Sequence, residues 1–323
     1  MRSGDHRRGA NSHAYSPDER LLTAGTLTLA YDLDGYLASK TEAGQSTQYV
    51  YGARGELKQV TLPDARIIDY VNDPYGRRIA KKINGIVVEK YQWLGQTKLL
   101  AVFDGADALK WRFEYADGRM PVSAVNGIGT RYYLAYDQIG TLRLVLDAAG
   151  TTVKRLDYDT FGRLLSDSNP GLALPFAFAG GLFDKDTGLV RFGARDYDPD
   201  TGRWTAKDPI GFAGGDTDFY GYCLSDPMNF VDVTGLDSCG SGWTAYVIPE
   251  MFPDSCKKHD ECYGTPGKCK DECDNEFLQN MLNEARSFST YDYEYISWAR
   301  NAYIFYWFVS RYGHGAYDRA QGR

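Results

Sequence analysis

The chain has 323 residues, 43% apolar and 24% charged, room for about two domains of ordinary globular composition. Its formal net charge of −7 argues against nucleic acid as the main partner, because phosphate backbones are bound by excess Lys and Arg. No run reaches the ~18 apolar residues that a membrane-spanning helix needs, and the polar opening MRSGDHRRGANSHAYSPDER lacks the apolar core of a secretory signal peptide.

Residues 1–24 read as a flexible N-terminal segment and residues 25–236 as a β-rich scaffold of hairpins. Tyr31, Tyr51, Tyr70, Tyr91, Tyr115, Tyr136 and Tyr158 recur every 19 to 24 residues. Several open one local pattern: Tyr31-Asp32-Leu33-Asp34-Gly35, Tyr136-Asp137-Gln138-Ile139-Gly140 and Tyr158-Asp159-Thr160-Phe161-Gly162, with Asn72-Asp73-Pro74-Tyr75-Gly76 as a relative. The Asp offers a side-chain acceptor to a turn and the Gly takes its positive-φ position, so each unit reads as strand, turn, strand. Alternation in Lys154-Arg155-Leu156-Asp157-Tyr158 fits half-buried strands. One hairpin is marginal alone, so the units are expected to stack into a larger sheet.

Further on stand Arg191-Phe192-Gly193-Ala194-Arg195-Asp196-Tyr197-Asp198-Pro199, then Asp208-Pro209-Ile210-Gly211, then Pro227 through Asp232-Val233-Thr234-Gly235-Leu236. With the Tyr-Asp units, these resemble the YD repeats and terminal core motif of Rhs and related polymorphic toxin proteins. The resemblance implies a β-cage scaffold, a variable C-terminal toxin and a cognate immunity protein as partner. It also implies self-cleavage after Leu236 by an aspartate-based protease, with Asp208 as the aspartate carried over. The plainer reading of Asp208 is a turn residue before Pro209. Val233 stands where the family has Pro.

From residue 237 to 323 the composition changes. Asp271 to Phe288 and Tyr291 to Arg311 read as helices, the first with Phe277, Leu278, Met281, Leu282 and Ala285 at helical spacing. Of six cysteines, Cys239, Cys256, Cys262, Cys269 and Cys273 crowd into 35 residues, which calls for an oxidising compartment or a metal. In Cys256-Lys257-Lys258-His259-Asp260-Glu261-Cys262-Tyr263, helical spacing puts His259 on one face with Cys262 and Tyr263, and turns Asp260 about 100° away. One can accept a proton while the other binds a cation. Gly240-Ser241-Gly242 lets backbone carbonyls turn toward one point, and carbonyls with a carboxylate are hard ligands that suit calcium. Asp274, on the next helix, can accept a hydrogen bond from the imidazole and fix its tautomer.

This constellation resembles secreted phospholipase A2, and its short interval between His259 and Asp274 is most similar to the compact group XII branch. The resemblance implies a small, mainly α, disulfide-stapled fold that hydrolyses phospholipid esters in a membrane surface. His259 would deprotonate the attacking water, Asp274 would orient His259, and Tyr263 would bond Asp274. Ca²⁺ would sit on Asp260 and the carbonyls of Ser238, Gly240 and Gly242, with the Gly240 N–H helping to hold the oxyanion. The implied disulfides are Cys239–Cys256 and Cys262–Cys273, leaving Cys269 without an obvious partner. The whole would be a secreted effector delivered to the target-cell envelope. Two other readings compete: a zinc site built from the clustered Cys and His, and a disulfide-stapled interaction module without catalysis. The aromatic run Trp298, Tyr303, Phe305, Tyr306, Trp307 and Phe308 fits a helix core or a membrane interface.

Overall fold

The computed structural model describes residues 13–116, 118–209, 218–236 and 252–289, together with residues 295, 296, 298, 299, 302, 303, 306, 309, 310 and 317. Among these, sixteen strands form one antiparallel sheet in which each pairs with its sequence neighbours, from β1 (His13–Tyr15) to β16 (Leu164–Asp167). The hairpins follow from the repeat. In β3 (Leu27–Tyr31) and β4 (Leu37–Glu42), Ala30 pairs with Ser39 but Tyr31 pairs with Leu37, so the register shifts at the tyrosine. The same shift falls at Tyr51, Asn72, Tyr136 and Tyr158. After Tyr31, Asn72, Tyr136 and Tyr158 it lets the next residue, Asp, fold its carboxylate back over the turn; after Tyr51 that position is Gly52. Asp137 Oδ1 accepts from the Ile139 and Thr141 amides at 3.2 and 2.9 Å, and Asp159 Oδ1 accepts from Phe161 and Arg163 at 3.0 and 2.9 Å. Gly35, Gly76, Gly140 and Gly162 close these turns at φ of 83 to 88°, where a Cβ is disfavoured. The expected turn chemistry holds.

Alternation sorts the faces. Leu27 and Leu29 are buried while Thr28 and Ala30, which alternate with them, are exposed. The sheet begins earlier than expected: β1 and β2 (Leu21–Ala24) lie inside the stretch read as a flexible segment, and Leu21 and Ala24 belong to the core. Two buried apolar residues three positions apart do not follow strand alternation and are a weak signal against so polar a background.

A second sheet takes the motif after the repeats: β17 (Leu182–Phe183), β18 (Val190–Phe192), β19 (Arg195–Asp198) and β20 (Arg203–Trp204). Every residue of β18 and β19 is buried. Phe178, Phe192, Tyr197, Trp204 and Tyr222 pack together as its core. The Leu37 amide donates to the Thr205 carbonyl at 2.9 Å, and buried ion pairs join this motif to the long sheet: Lys40–Asp198, Arg78–Asp196 and Lys81–Asp184, at 2.9, 2.9 and 2.6 Å. Charges so far from water persist only when paired.

The C-terminal segment holds α1 (Pro253–Tyr263) and α2 (Lys270–Phe288), the latter one residue earlier than expected. Residues 295, 296, 298, 299, 302, 303, 306, 309 and 310 are helical too. Phe252, Cys256, Phe277, Met281 and Ala285 form the core between α1 and α2, each all but inaccessible, and Trp298 and Tyr306 pack against it. Full burial of a Phe or Met side chain contributes about 1.5–3 kcal/mol. Of the aromatic run, Trp298 and Tyr306 are thus core-facing and Tyr303 is exposed; Phe305, Trp307 and Phe308 lie outside the described residues. The start of α1 has no cap of its own. Glu284 of α2 supplies one, accepting from the Ser255 amide at 3.0 Å and the Ser255 hydroxyl at 2.5 Å.

Candidate functional site

The disulfide Cys262–Cys273 joins the end of α1 to the first turns of α2, as the resemblance implied. It sets His259 against Asp274. His259 Nε2 lies 3.0 Å from Asp274 Oδ1, the Tyr263 hydroxyl donates to that same oxygen at 2.6 Å, and Lys270 Nζ donates to Oδ2 at 2.6 Å. Phe277 stacks on the imidazole with ring centres 4.4 Å apart, and Tyr263 tilts against it at 4.2 Å. His259 and Asp274 are 5% and 1% exposed, so neither can trade these partners for water.

The tautomer follows. Burial alone would raise the Asp274 carboxyl, but the hydrogen bonds from His259, Lys270 and Tyr263 outweigh it and hold Asp274 below the ordinary carboxylate value. An ionised carboxylate only accepts, so in the neutral ring Nε2 carries the proton and Nδ1 the free lone pair. Nδ1 lies 4.0 Å from Asp260 Oδ1, on the side away from Asp274. A proton acceptor and a carboxylate therefore face one spot.

Asp260 is the electrostatic opposite of Asp274. Its Oδ2 is buried with no hydrogen-bond partner. Burial pushes its carboxyl well above the ordinary value, and the negative charge of Glu261 adds to that. The side chain as a whole is 28% exposed, so a hard cation can reach it and would supply the partner that Oδ2 lacks. The other expected ligands, Ser238, Gly240 and Gly242, lie outside the described residues, as does Cys239. Among the described residues no group of three or more His, Cys, Asp or Glu side chains is arranged to hold a metal. The zinc reading fails for its central ligands: Cys262 and Cys273 are bonded to each other, and His259 Nε2 faces Asp274. Cys269 is an exposed, unpaired thiol.

Lys270 is the site residue that sequence reasoning missed. It is 5% exposed and, besides Asp274, donates to the Val309 and Ser310 carbonyls at 2.9 and 3.0 Å. Spacing of four residues to Asp274 hints at the pair, but a buried lysine is visible only once the later segment covers it.

At the scaffold's end, Asp208 and Asp232 both reach Nη2 of Arg195, at 2.9 and 3.1 Å. Arg195 Nε donates to the Gly235 carbonyl at 2.6 Å, and the Leu236 amide donates to Asp232 Oδ1 at 3.1 Å. Asp232 thus touches the Leu236 amide directly, and Asp208 is tied to the same stretch through Arg195. Asp208 was expected there; Asp232, which lies within the terminal motif itself, was not.

The family model described as Teneurin YD-shell matches residues 3–217. Teneurin-3 of Danio rerio is 29% identical over 199 residues, covering 60% of this chain and 7% of its own length. A probable deoxyribonuclease, RhsA of Dickeya dadantii, is 30% identical over 232 residues, covering 68% of this chain and 16% of its own. The crystal structure of TcdB2-TccC3-TEV is similar at TM-score 0.48 and 17% identity, over 70% of this chain and 15% of that one. The chain therefore spans a small part of each of these proteins.

Proposed function

Because the chain belongs to the Teneurin YD-shell family, we propose that residues 13–236 are the scaffold of a toxin effector and that the helical segment beyond is its enzyme, a calcium-dependent hydrolase of phospholipid acyl esters. One observation carries the second half: His259 has Nε2 committed to an ionised Asp274 and Nδ1 turned toward the orphaned carboxylate of Asp260.

These residues suit one reaction. Nδ1 takes a proton from water, whose oxygen bonds to the ester carbonyl carbon. The imidazolium that forms is stabilised by Asp274, which Tyr263 and Lys270 hold in place. The proton then returns from Nδ1 to the glycerol oxygen as the carbon–oxygen bond breaks, releasing fatty acid and lysolipid. A hard cation on Asp260, with backbone carbonyls from Ser238, Gly240 and Gly242, would polarise the carbonyl when bound. The Gly240 N–H would help hold the oxyanion. A cognate immunity protein in the producing cell and delivery to a target-cell envelope complete the reading. Among the described residues no helix is long and apolar enough to cross a membrane.

The aspartates around Arg195 support a second, self-directed step, cleavage after Leu236. Full-length protein that migrates as one uncut band would exclude it, and Asp208→Asn should block it where it occurs.

The enzyme reading is tested by incubating the full-length protein with mixed phospholipid vesicles. Release of free fatty acid that stops on chelation is expected. No release, with digestion of added DNA instead, would favour the activity named for the Dickeya relative and sink the lipid reading.

A further inference from the structure

Where the terminal motif meets the long sheet there is a cavity of about 40 Å³. One water needs roughly 10–15 Å³ of such room, so the space fits a few waters or one small ion, not a nucleotide or an acyl chain. Arg77, Arg78, Arg119 and Arg191 line it, and no carboxylate does. Two of these decide its character. Arg78 is 2% and Arg191 4% exposed. They share a single carboxylate: Arg78 Nη2 donates to Asp196 Oδ1 at 2.9 Å and Arg191 Nη1 to Oδ2 at 2.7 Å. Both Nε groups are buried without a hydrogen-bond partner. Asp73 neutralises Arg77 of the same wall, and Asp184 is engaged by Lys81 and Tyr70. Burial holds Arg191 below the ordinary guanidinium value, with the like charge of Arg78 adding to it and Asp196 only partly opposing. Arg119 donates to the Ile139 and Ala179 carbonyls and Arg191 Nη2 to the Gly76 carbonyl at 3.1 Å, so what stays unsatisfied is the Nε donors of Arg78 and Arg191, two guanidinium groups on one carboxylate.

We propose that this cavity binds one small tetrahedral oxyanion of the phosphate or sulfate class, held by Arg78 and Arg191. Such an ion offers several acceptors and a charge at once, which neither water nor chloride does. Bound there it would clamp the terminal motif onto the long sheet, because Arg78 belongs to β8 (Arg78–Ile83) and Arg191 to β18. The inference stands on the scaffold alone and is independent of the enzyme reading.

The test is calorimetric melting of the full-length protein in chloride buffer at fixed ionic strength, titrated with sodium selenate, inorganic phosphate or glycerol phosphate. A rise of roughly 3–6 °C is expected at about ten times the dissociation constant, growing with the logarithm of anion concentration beyond it. Crystals soaked in selenate should show an anomalous selenium peak between the two Nε atoms. Arg191→Met should abolish the response. Should that variant not fold, Gln96→Glu decides: it places a carboxylate on the cavity wall at an exposed position and should remove the response without unfolding the protein. An equal rise with glycerol phosphate also supports the site and makes an esterified phosphoryl group an admissible occupant. A flat titration without a selenium peak, or a rise that Gln96→Glu leaves intact, overturns the proposal.

Discussion

At the scale of single residues, Asp260 and Asp274 show how environment divides two carboxylates. Asp274 has three donors and stays ionised; Asp260 has an orphaned oxygen and resists ionisation. The consequence for Asp274 has a definite sign. A carboxylate whose folded value is depressed stabilises the fold above its unfolded value near ~4, and that contribution is lost as pH falls toward the folded value. Melting the wild type and Asp274→Asn from neutral to strongly acidic pH should show a steeper acid loss in the wild type; parallel curves would contradict the assignment. Lys270 acts through Asp274 and is a positioning residue. Lys270→Met is expected to lower kcat roughly 10–100-fold with little change in KM, and Lys270→Arg to recover part of it. His259, Asp260, Tyr263 and Asp274 were legible because helical spacing and residue chemistry are local signals. Lys270 was not, because its role depends on the Val309 and Ser310 carbonyls some forty positions on.

At the scale of elements, the repeat carried most of its own structure. A Tyr-Asp pair followed by Gly encodes the register shift, the carboxylate cap and the left-handed turn residue together. Asp137→Ala removes acceptors for two amides, one of them in the nearly inaccessible Thr141, and should cost about 1–3 kcal/mol in urea unfolding. The exposed turn aspartate Asp34 should tolerate Ala within about 0.5 kcal/mol in the same measurement. The two helices depend on a cap from outside their own sequence neighbourhood: Glu284→Ala leaves the start of α1 unsatisfied and should cost about 1–2 kcal/mol. Sequence pattern found α2 within one residue but missed β1 and β2, whose placement is decided by the edge of β3 rather than by their own composition.

At the scale of the whole molecule, the long sheet and the terminal motif are joined by ion pairs spanning more than a hundred residues, such as Lys40–Asp198 and Lys81–Asp184. No local pattern announces such pairs; the likeness of the motifs to a known scaffold was the legible part. The account makes that scaffold a carrier and the His259 segment its chemistry. Its central claim is that one imidazole and one cation-binding carboxylate act on the same ester. The most direct measurement is fatty-acid release from phospholipid vesicles across a calcium titration, by the full-length wild type, His259→Ala and Asp260→Asn. The account predicts saturable, calcium-dependent release by the wild type, a loss of roughly 10²–10⁴-fold in His259→Ala, and a loss at least as large in Asp260→Asn. Full activity in either variant, or release indifferent to calcium, would contradict it.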